Sequence, residues 1–347
     1  MYVHAGALAR VPELVRQSFG RRRVAMIADE RVCQLYQSGH LGAAPWEGET
    51  LTFEPGEKSK TRESWARLTD ELMERGFGRD TGLITLGGGV SGDLAGFVAA
   101  TYMRGVPYLQ IPTTLVAMLD AAVGGKTGVD TPLGKNLVGA FHPPIAVIAD
   151  PRALATLPER EYRAGLAEAV KHGLIADEAY FAWIEQVVEP LGRRDNQILT
   201  LLVRRSVEIK AEVVAEDERE SGRRAILNAG HTVAHALEQA SGYRLPHGEA
   251  VGLGLIVECH LAERAGVAPA GLAKRVAGLL AALGLPVRME GRLDPLALLM
   301  TMTRDKKNRD SRIRFALPAR LGAMHHTPEW TTAVPENAIL EAMAAIS

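Results

Sequence analysis

The sequence predicts an α/β fold for its N-terminal part and a mainly α-helical fold for the remainder. Up to residue 150, short β-branched runs alternate with helical stretches, the pattern of a parallel sheet with helices on its faces. After Pro151 the chain consists of long Ala/Leu/Glu/Arg-rich segments punctuated by Gly and Pro. A glycine-rich turn stands where one predicted strand hands over to a helix.

Taken in order, Val24–Ala28 reads as a strand ending at Asp29. Arg62–Arg75 has helical spacing through Trp65, Leu68 and Leu72. Leu83–Leu86 is a second strand running into Gly87, and Asp93–Thr101 is the helix after it. Tyr108–Ile111 is a third strand ending at Pro112, and Ile145–Ala149 a fourth ending at Asp150-Pro151. The helical part reads as 159–173, 178–188, 196–218, 229–241, 248–265 and 270–283, with stops at Gly173, Pro190, Gly242, Gly266 and Gly284. The next strand signal is Arg312–Leu317. The expected boundary lies near 151, giving domains 1–151 and 152–347.

Length and charge bound the function. A chain of 347 residues suits two domains. With 41 acidic and 40 basic residues, its net charge of −1 provides no whole-molecule field for nucleic acid or an anionic membrane. Cys33 and Cys259 alone make neither a disulfide framework nor a cysteine metal site, and suit a reducing compartment. The longest charge-free runs reach 15 residues, as in Gly105–Leu119, whereas a membrane-spanning helix needs about 20. The first residues lack a signal-peptide core, so a cytoplasmic location is expected.

Glycine is in excess, at 35 residues, about 10% against an ordinary ~7%. The excess is local: from Gly87 to Gly139, 11 of 53 residues are glycine. Gly87-Gly88-Gly89-Val90-Ser91-Gly92 satisfies G-x-G-x-x-G between a strand and a helix, where backbone N–H groups can approach a pyrophosphate. The following strand ends in Thr113-Thr114 rather than an acidic residue, so Asp29, ending the earlier strand, is the candidate for a ribose, in a topology that is not the standard one. Gly124-Gly125-Lys126-Thr127 fails as a Walker A motif, because Asp120 stands where its first glycine is required, and no strand signal leads into it. Asp120, Lys126, Lys135 and Asn136 remain as sparse polar groups in a glycine-rich, apolar stretch, suited to a phosphorylated or carboxylated small molecule.

Asn228-Ala-Gly-His231-Thr-Val-Ala-His235 puts two histidines four residues apart on one helix face, and His247 opens the next helix. Glu168, Lys171 and His172 share a face of an earlier helix. Two or three histidines and a carboxylate form the ligand set of a catalytic zinc site, although spacing leaves open which of His231 and His235 ligates. Residue 232 is Thr, which excludes the H-E-x-x-H of metalloproteases. Basic residues accompany the set: Lys210, Arg223, Arg224 and the segment Arg304–Arg314, with six basic and two acidic residues. That segment lacks the interleaved aromatics of a nucleic-acid surface and reads as an anionic-substrate pocket or a solvated loop.

GGGVSGDLAGFVAATYMRG (87–105), IPTTLVAMLDAAVGGKTGVDTPLGKNLVGAFHPP (111–144), EREYRAGLAEAVKHG (159–173), NAGHTVAHALE (228–238), LPHGEAV (245–251) and DKKNRDSRIRF (305–315) together resemble the 3-dehydroquinate synthase family of sugar-phosphate cyclases. The resemblance implies an α/β N-terminal nucleotide-binding domain plus a mainly α-helical C-terminal metal-binding domain. It also implies NAD, one divalent metal (zinc or cobalt) and a homodimer. By motif position it implies Glu168, His231 and His247 as metal ligands, which frees His235 for substrate and proton transfer. Arg104, Asp120, Lys126, Asn136, Lys171, Lys210, Arg224, Asn228 and one of Lys306 and Lys307 match substrate-contacting positions, with Arg104 reaching a neighbouring subunit's substrate. Glu220 and His235 match proton-transfer positions. Asp29, Glu57, Lys60, Gly88, Gly89, Val90, Asp93, Thr113, Thr114 and Lys135 match NAD-contacting positions.

The implied reaction converts 3-deoxy-D-arabino-heptulosonate 7-phosphate to 3-dehydroquinate and phosphate, through transient oxidation by NAD, phosphate elimination, re-reduction, ring opening and an intramolecular aldol step. The neighbouring readings are a sibling cyclase such as aminodehydroquinate synthase and a metal-dependent polyol dehydrogenase. Cyclases forming valiolone or deoxy-inosose products are expected to lack the VGGKTGV…GKN block present at 123–136. The segment 87–139 carries only six charges, Asp93, Arg104, Asp120, Lys126, Asp130 and Lys135, and the resemblance assigns all but Asp130.

Overall fold

In the computed structural model, Thr81–Gly87 is buried along its whole length, as a central strand covered on both faces requires. The structure describes residues 1–41, 46–218, 222–289, 294–303 and 312–347. The chain divides into two units, Met1–Pro158 with Arg194–Val207, and Glu159–Arg193 with Glu208–Ser347.

The first unit contains, in chain order, β1 (Tyr2–Val3), α1 (Val11–Phe19), β2 (Arg23–Asp29), α2 (Glu30–Gln37), β3 (Glu49–Phe53), α3 (Arg62–Glu74), β4 (Thr81–Gly87), α4 (Gly89–Thr101), β5 (Tyr108–Pro112), β6 (Lys126–Thr131), β7 (Gly134–Phe141) and β8 (Ala146–Ala149). Six strands form one parallel sheet in the order β1-β8-β5-β4-β2-β3. Leu83, Leu94, Val98 and Leu68 lie in one buried cluster that joins β4, α4 and α3. Each such side chain contributes about 1.5–3 kcal/mol when fully buried. β2 and β5 flank β4, so Asp29, which ends β2, and Thr113, which follows β5, both lie at the strand ends beside Gly87. Ligands of open parallel sheets bind outside these carboxyl ends.

The stretch around Lys126 is the main correction to the expected elements. It is a hairpin, with β6 pairing antiparallel to β7 from Lys126↔Phe141 to Thr131↔Gly134. Gly128 and Gly139 face each other there, and a Cβ on Gly139 would lie 2.1 Å from the Thr127 carbonyl oxygen. The glycines that weaken a strand signal are thus what let these two strands approach.

The second unit holds α5 (Glu159–Ala176), α6 (Glu178–Gln186), α7 (Val188–Gly192), the last turns of α8 (Asn196–Glu216), α9 (His231–Ala240), α10 (His247–Arg264), α11 (Leu272–Ala282), α12 (Pro295–Thr303) and α13 (Glu336–Met343). Short pairs β9 (Arg314–Phe315) with β12 (Thr332–Ala333), and β10 (Pro318–Arg320) with β11 (Ala323–Met324), complete it. Two expected stops fail. α5 runs through Gly173, whose hydrogen faces α6: a Cβ there would meet Phe181 at 2.9 Å. Pro190 falls in the first turns of α7, where its missing N–H is tolerated. No helix among the described residues is long and apolar enough to cross a membrane.

Candidate active site

In the first unit, the glycine turn links β4 to α4. Gly87 has φ +146°, and a Cβ on it would stand 2.1 Å from Ser91 Oγ and 3.2 Å from Asp29 Oδ2. A Cβ on Gly88 would stand 2.9 Å from Thr114 Cγ2. No side chain caps the N-terminus of α4, so its first N–H groups are left for an anion. Thr113 donates its N–H to the Gly87 carbonyl at 2.9 Å, and Thr114 Oγ1 accepts the Ala117 N–H at 3.2 Å. Asp29 caps α2 by accepting the Val32 N–H at 2.8 Å; burial raises its carboxyl above the ordinary range despite that bond. Backbone close to the turn, bare helix N–H groups and an acidic residue beside them are the features a dinucleotide needs.

Beside this turn, Lys60 is 3% exposed at the centre of a charge cluster. Its Nζ lies 2.9 Å from Asp93, 3.6 Å from Glu57 and 3.7 Å from Asp130, and Lys135 reaches Glu57 at 3.3 Å. Burial opposes the charge of Lys60, but Asp93 and Glu57 outweigh it and raise the pKa. Burial likewise would raise Glu57, but Lys60 and Lys135 outweigh it and hold Glu57 below the ordinary range. Burial dominates at Asp93 and Asp130, which are raised.

The remaining first-unit candidates are placed on turns and on the hairpin. Arg104 is exposed and follows Met103 through left-handed backbone, at φ +69° and +50°. Asp120 is half-buried in a π-helical turn, Ala117–Ala121. Lys126 opens β6, and Asn136, at φ +54°, donates its N–H to Asp130 Oδ1 at 2.9 Å.

In the second unit, Glu168, His231 and His247 offer ligand atoms within 4.8 Å of one another. Glu168 is fully buried on α5, and its Oε1 faces His231 Nε2 at 3.8 Å and His247 Nε2 at 3.5 Å. The second nitrogen of each ring is also held. His231 Nδ1 lies 3.1 Å from the Ala229 carbonyl oxygen, which can only accept, so this nitrogen carries the proton and Nε2 keeps its lone pair. His247 Nδ1 faces Glu238 Oε2 at 3.5 Å. Two oriented imidazoles and a carboxylate fit a catalytic zinc-type centre. Geometry thus groups His231 rather than His235 with the set, a choice that helical spacing left open.

Burial and then Lys171 push the His231 pKa well down. At His247 burial also acts downward, but hydrogen bonds to Glu168 and Glu238 prevail and push it up to about 10. Lys171 is 1% exposed and pairs with Glu168. His235 meets the His231 ring edge-on, with centroids 5.7 Å apart. Lys210 is buried on α8, and buried Arg224 and half-buried Asn228 lie on the 3-10 turn Arg223–Asn228, where Asp217 accepts the Arg224 N–H at 3.0 Å. Glu220, Lys306 and Lys307 lie outside the described residues.

Two family models match this chain: 3-dehydroquinate synthase N-terminal over 50–164 and 3-dehydroquinate synthase C-terminal over 165–308. The chain belongs to the 3-dehydroquinate synthase family. A curated 3-dehydroquinate synthase of Symbiobacterium thermophilum is 45% identical over 334 residues, 95% of this chain and 93% of the relative. Among solved structures, a 2-deoxy-scyllo-inosose synthase complexed with carbaglucose-6-phosphate, NAD+ and Co2+ superposes with a TM-score of 0.87 at 26% identity, covering 99% of this chain and 95% of the other. The 2-epi-5-epi-valiolone synthase of Streptomyces hygroscopicus, with NAD+ and Zn2+, gives a TM-score of 0.86 at 27% identity, covering 100% and 96%. The family fold therefore spans both units.

Sequence reasoning within the family left out Asp130, Glu238 and Glu258. Asp130 was the unassigned charge in a charge-poor segment. Glu238 follows His231 by seven residues, two helical turns on the same face, and Glu258 follows His247 by eleven, three turns.

Proposed function

We propose that this chain converts 3-deoxy-D-arabino-heptulosonate 7-phosphate to 3-dehydroquinate and inorganic phosphate, with NAD and one divalent metal, zinc or cobalt. The observation that carries the reading is the convergence of Glu168, His231 Nε2 and His247 Nε2 beside Lys171, in a chain of this family. When bound, the metal supplies a Lewis acid at the substrate's oxygens, and NAD takes up and returns a hydride.

The chain's own groups bind and orient. We assign Glu168, His231 and His247 as metal ligands. Lys126, Lys171, Lys210 and Arg224, with Asp120, Asn136 and Asn228, hold the substrate's carboxylate, hydroxyls and phosphate in one pose, which converts binding into reacting geometry. His235 moves protons at the substrate, and Glu220 shares that role. One of Lys306 and Lys307 adds a substrate contact. Gly88, Gly89, Val90 and the N-terminus of α4 hold the NAD pyrophosphate, with Asp29, Glu57, Lys60, Asp93, Thr113, Thr114 and Lys135 around the dinucleotide.

We further propose a cytoplasmic homodimer. The support is β7, whose Leu137, Val138 and Phe141 are exposed on a two-stranded sheet, together with exposed Met103 and Ile145. A second copy covers this apolar edge, and Arg104 reaches the phosphate of the partner's substrate.

The experiment is a phosphate-release assay on the heptulosonate phosphate with catalytic NAD, with and without a chelator. Phosphate release far beyond the NAD present, no accumulated NADH and loss of activity on metal removal are expected. Stoichiometric NADH would identify a polyol dehydrogenase instead, and activity surviving complete metal removal would refute the metal assignment.

A further inference from the structure

α9 and α10 each begin at an imidazole of the Glu168 centre, and each carries a buried carboxylate that reaches across to the other helix. On α10, Glu258 is 1% exposed and its Oε2 accepts the N–H of Gly230 at 2.7 Å. Gly230, at φ +81°, immediately precedes His231. One turn before Glu258, Gly254 brings the two backbones together: a Cβ there would stand 2.0 Å from the Gly230 carbonyl oxygen. This junction fixes where α9 starts relative to α10, and with it the path of every side chain along α9.

Glu238 is the residue on α9 that this junction aims back at α10. It is 6% exposed, and its Oε2 lies 3.5 Å from His247 Nδ1. A carboxylate can only accept, so Glu238 keeps a proton on Nδ1 and aims the other nitrogen, Nε2, at Glu168, 3.5 Å away, so that Nε2 is the nitrogen a metal would take in exchange for its proton. A buried carboxylate is costly unless it is paired, and the imidazole edge is a partner that the junction brings to this one.

We propose that Glu238 is a positioning residue for the metal centre, acting through His247: it fixes the ring's tautomer and rotation and strengthens Nε2 as a donor. The inference rests on the reading of Glu168, His231 and His247 as metal ligands. It assigns a role to a residue outside the proposed ligand set.

The test measures Zn2+ affinity of the full-length apo-protein by chelator competition, with the visible absorption of the Co2+ form as a spectroscopic signature. Glu238→Ala is expected to weaken Zn2+ binding nearer a hundredfold and Glu238→Gln about tenfold, within the usual range for removing such a partner. The Gln carbonyl can still accept from Nδ1–H, so partial rescue is expected, with the Co2+ spectrum of Glu238→Gln close to wild type and that of Glu238→Ala altered. A purely structural carboxylate would lower the melting temperature of the apo-protein without a selective loss of metal, which would overturn the proposal. Should Glu238→Ala not fold, unchanged Zn2+ affinity in Glu238→Gln overturns it. His247→Ala separates the two readings. If His247→Ala loses Zn2+ while both Glu238 variants bind normally, the ligand set stands and the positioning role falls. If His247→Ala binds Zn2+ unchanged, both fall.

Discussion

Asp130 and Lys60 hold each other twice: Asp130 Oδ1 lies 3.7 Å from Lys60 Nζ, and the Asp130 N–H donates to the Lys60 carbonyl at 2.8 Å. The same Oδ1 accepts the N–H of Asn136, at the left-handed residue that follows the hairpin turn. One carboxylate therefore ties a lysine assigned to the cofactor to an asparagine assigned to the substrate. Asp130→Ala removes both contacts, and losing the acceptor of one polar group costs about 1–3 kcal/mol. Steady-state kinetics should show KM raised about tenfold for NAD and for the heptulosonate phosphate together. Asp130→Asn keeps an acceptor for Asn136 and should raise mainly the KM for NAD. Equal KM values in wild type and Asp130→Ala would remove Asp130 from the site.

Lys60 predicts a pH signature. Its side chain is 4% exposed and faces three carboxylates. Lys60→Met leaves Asp93 without the ammonium at 2.9 Å, and breaking a buried pair from one side costs about 3–5 kcal/mol. The folded pKa is raised above the unfolded value of about 10.4. The stabilisation is therefore fully present below about pH 10.4 and lost as pH rises through the folded value. Urea unfolding of both proteins should show a gap that is flat from neutral pH to about 10 and narrows above it. Narrowing that begins near neutral pH would contradict the sign of the shift.

Gly87→Ala tests the dinucleotide turn. The new methyl would press on Ser91 Oγ at 2.1 Å, and φ +146° is backbone that an alanine rarely adopts. Both effects displace the start of α4, where the pyrophosphate is assigned. NAD affinity, read by fluorescence or calorimetry, should fall at least tenfold, with a stability loss of about 1–3 kcal/mol. Unchanged NAD affinity in a folded variant would place the cofactor elsewhere.

The parts legible in sequence were those with a strong local period or a specific motif. β2, β4 and β5 announced themselves as apolar β-branched runs, α8 as one long helical segment, and α9 to α11 as segments with clear glycine stops. The glycine turn was legible because turn chemistry constrains residue types within a few positions, whereas Glu168, His231 and His247 stand on three helices and were joined into one set only through the family resemblance, spacing having left His231 and His235 open. The hairpin of Lys126–Phe141 was not legible, because its pairing needs glycines that locally argue against a strand. β1, two residues long, is extended by pairing with β8, far along the chain, and β3 is an edge strand whose Glu49, Thr50 and Thr52 break up its apolar run. Asp130, Glu238 and Glu258 were missed for a related reason. Each acts across a tertiary contact, to Lys60, His247 and Gly230 respectively, and a spacing rule sees only its own helix or strand.

Two glycine substitutions separate helix propensity from close packing. Gly278 lies in α11 with nothing within 4 Å of the position a Cβ would take, so Gly278→Ala should gain the ordinary helical preference, about 0.5–1 kcal/mol. Gly254 lies in α10, where the same change puts a methyl 2.0 Å from the Gly230 carbonyl oxygen and 2.8 Å from its carbon. Those are backbone atoms, so relief requires α9 to move bodily. Overpacking of this kind costs about 1–3 kcal/mol or more, and it outweighs the propensity gain. Gly254→Ala should therefore unfold at lower denaturant than wild type while Gly278→Ala unfolds at higher. Because the movement carries Gly230 and His231 with it, Gly254→Ala should also lose Zn2+ affinity in chelator competition, and Gly278→Ala should not. A stabilised Gly254→Ala with wild-type metal binding would mean that the α9–α10 junction does not set the position of His231.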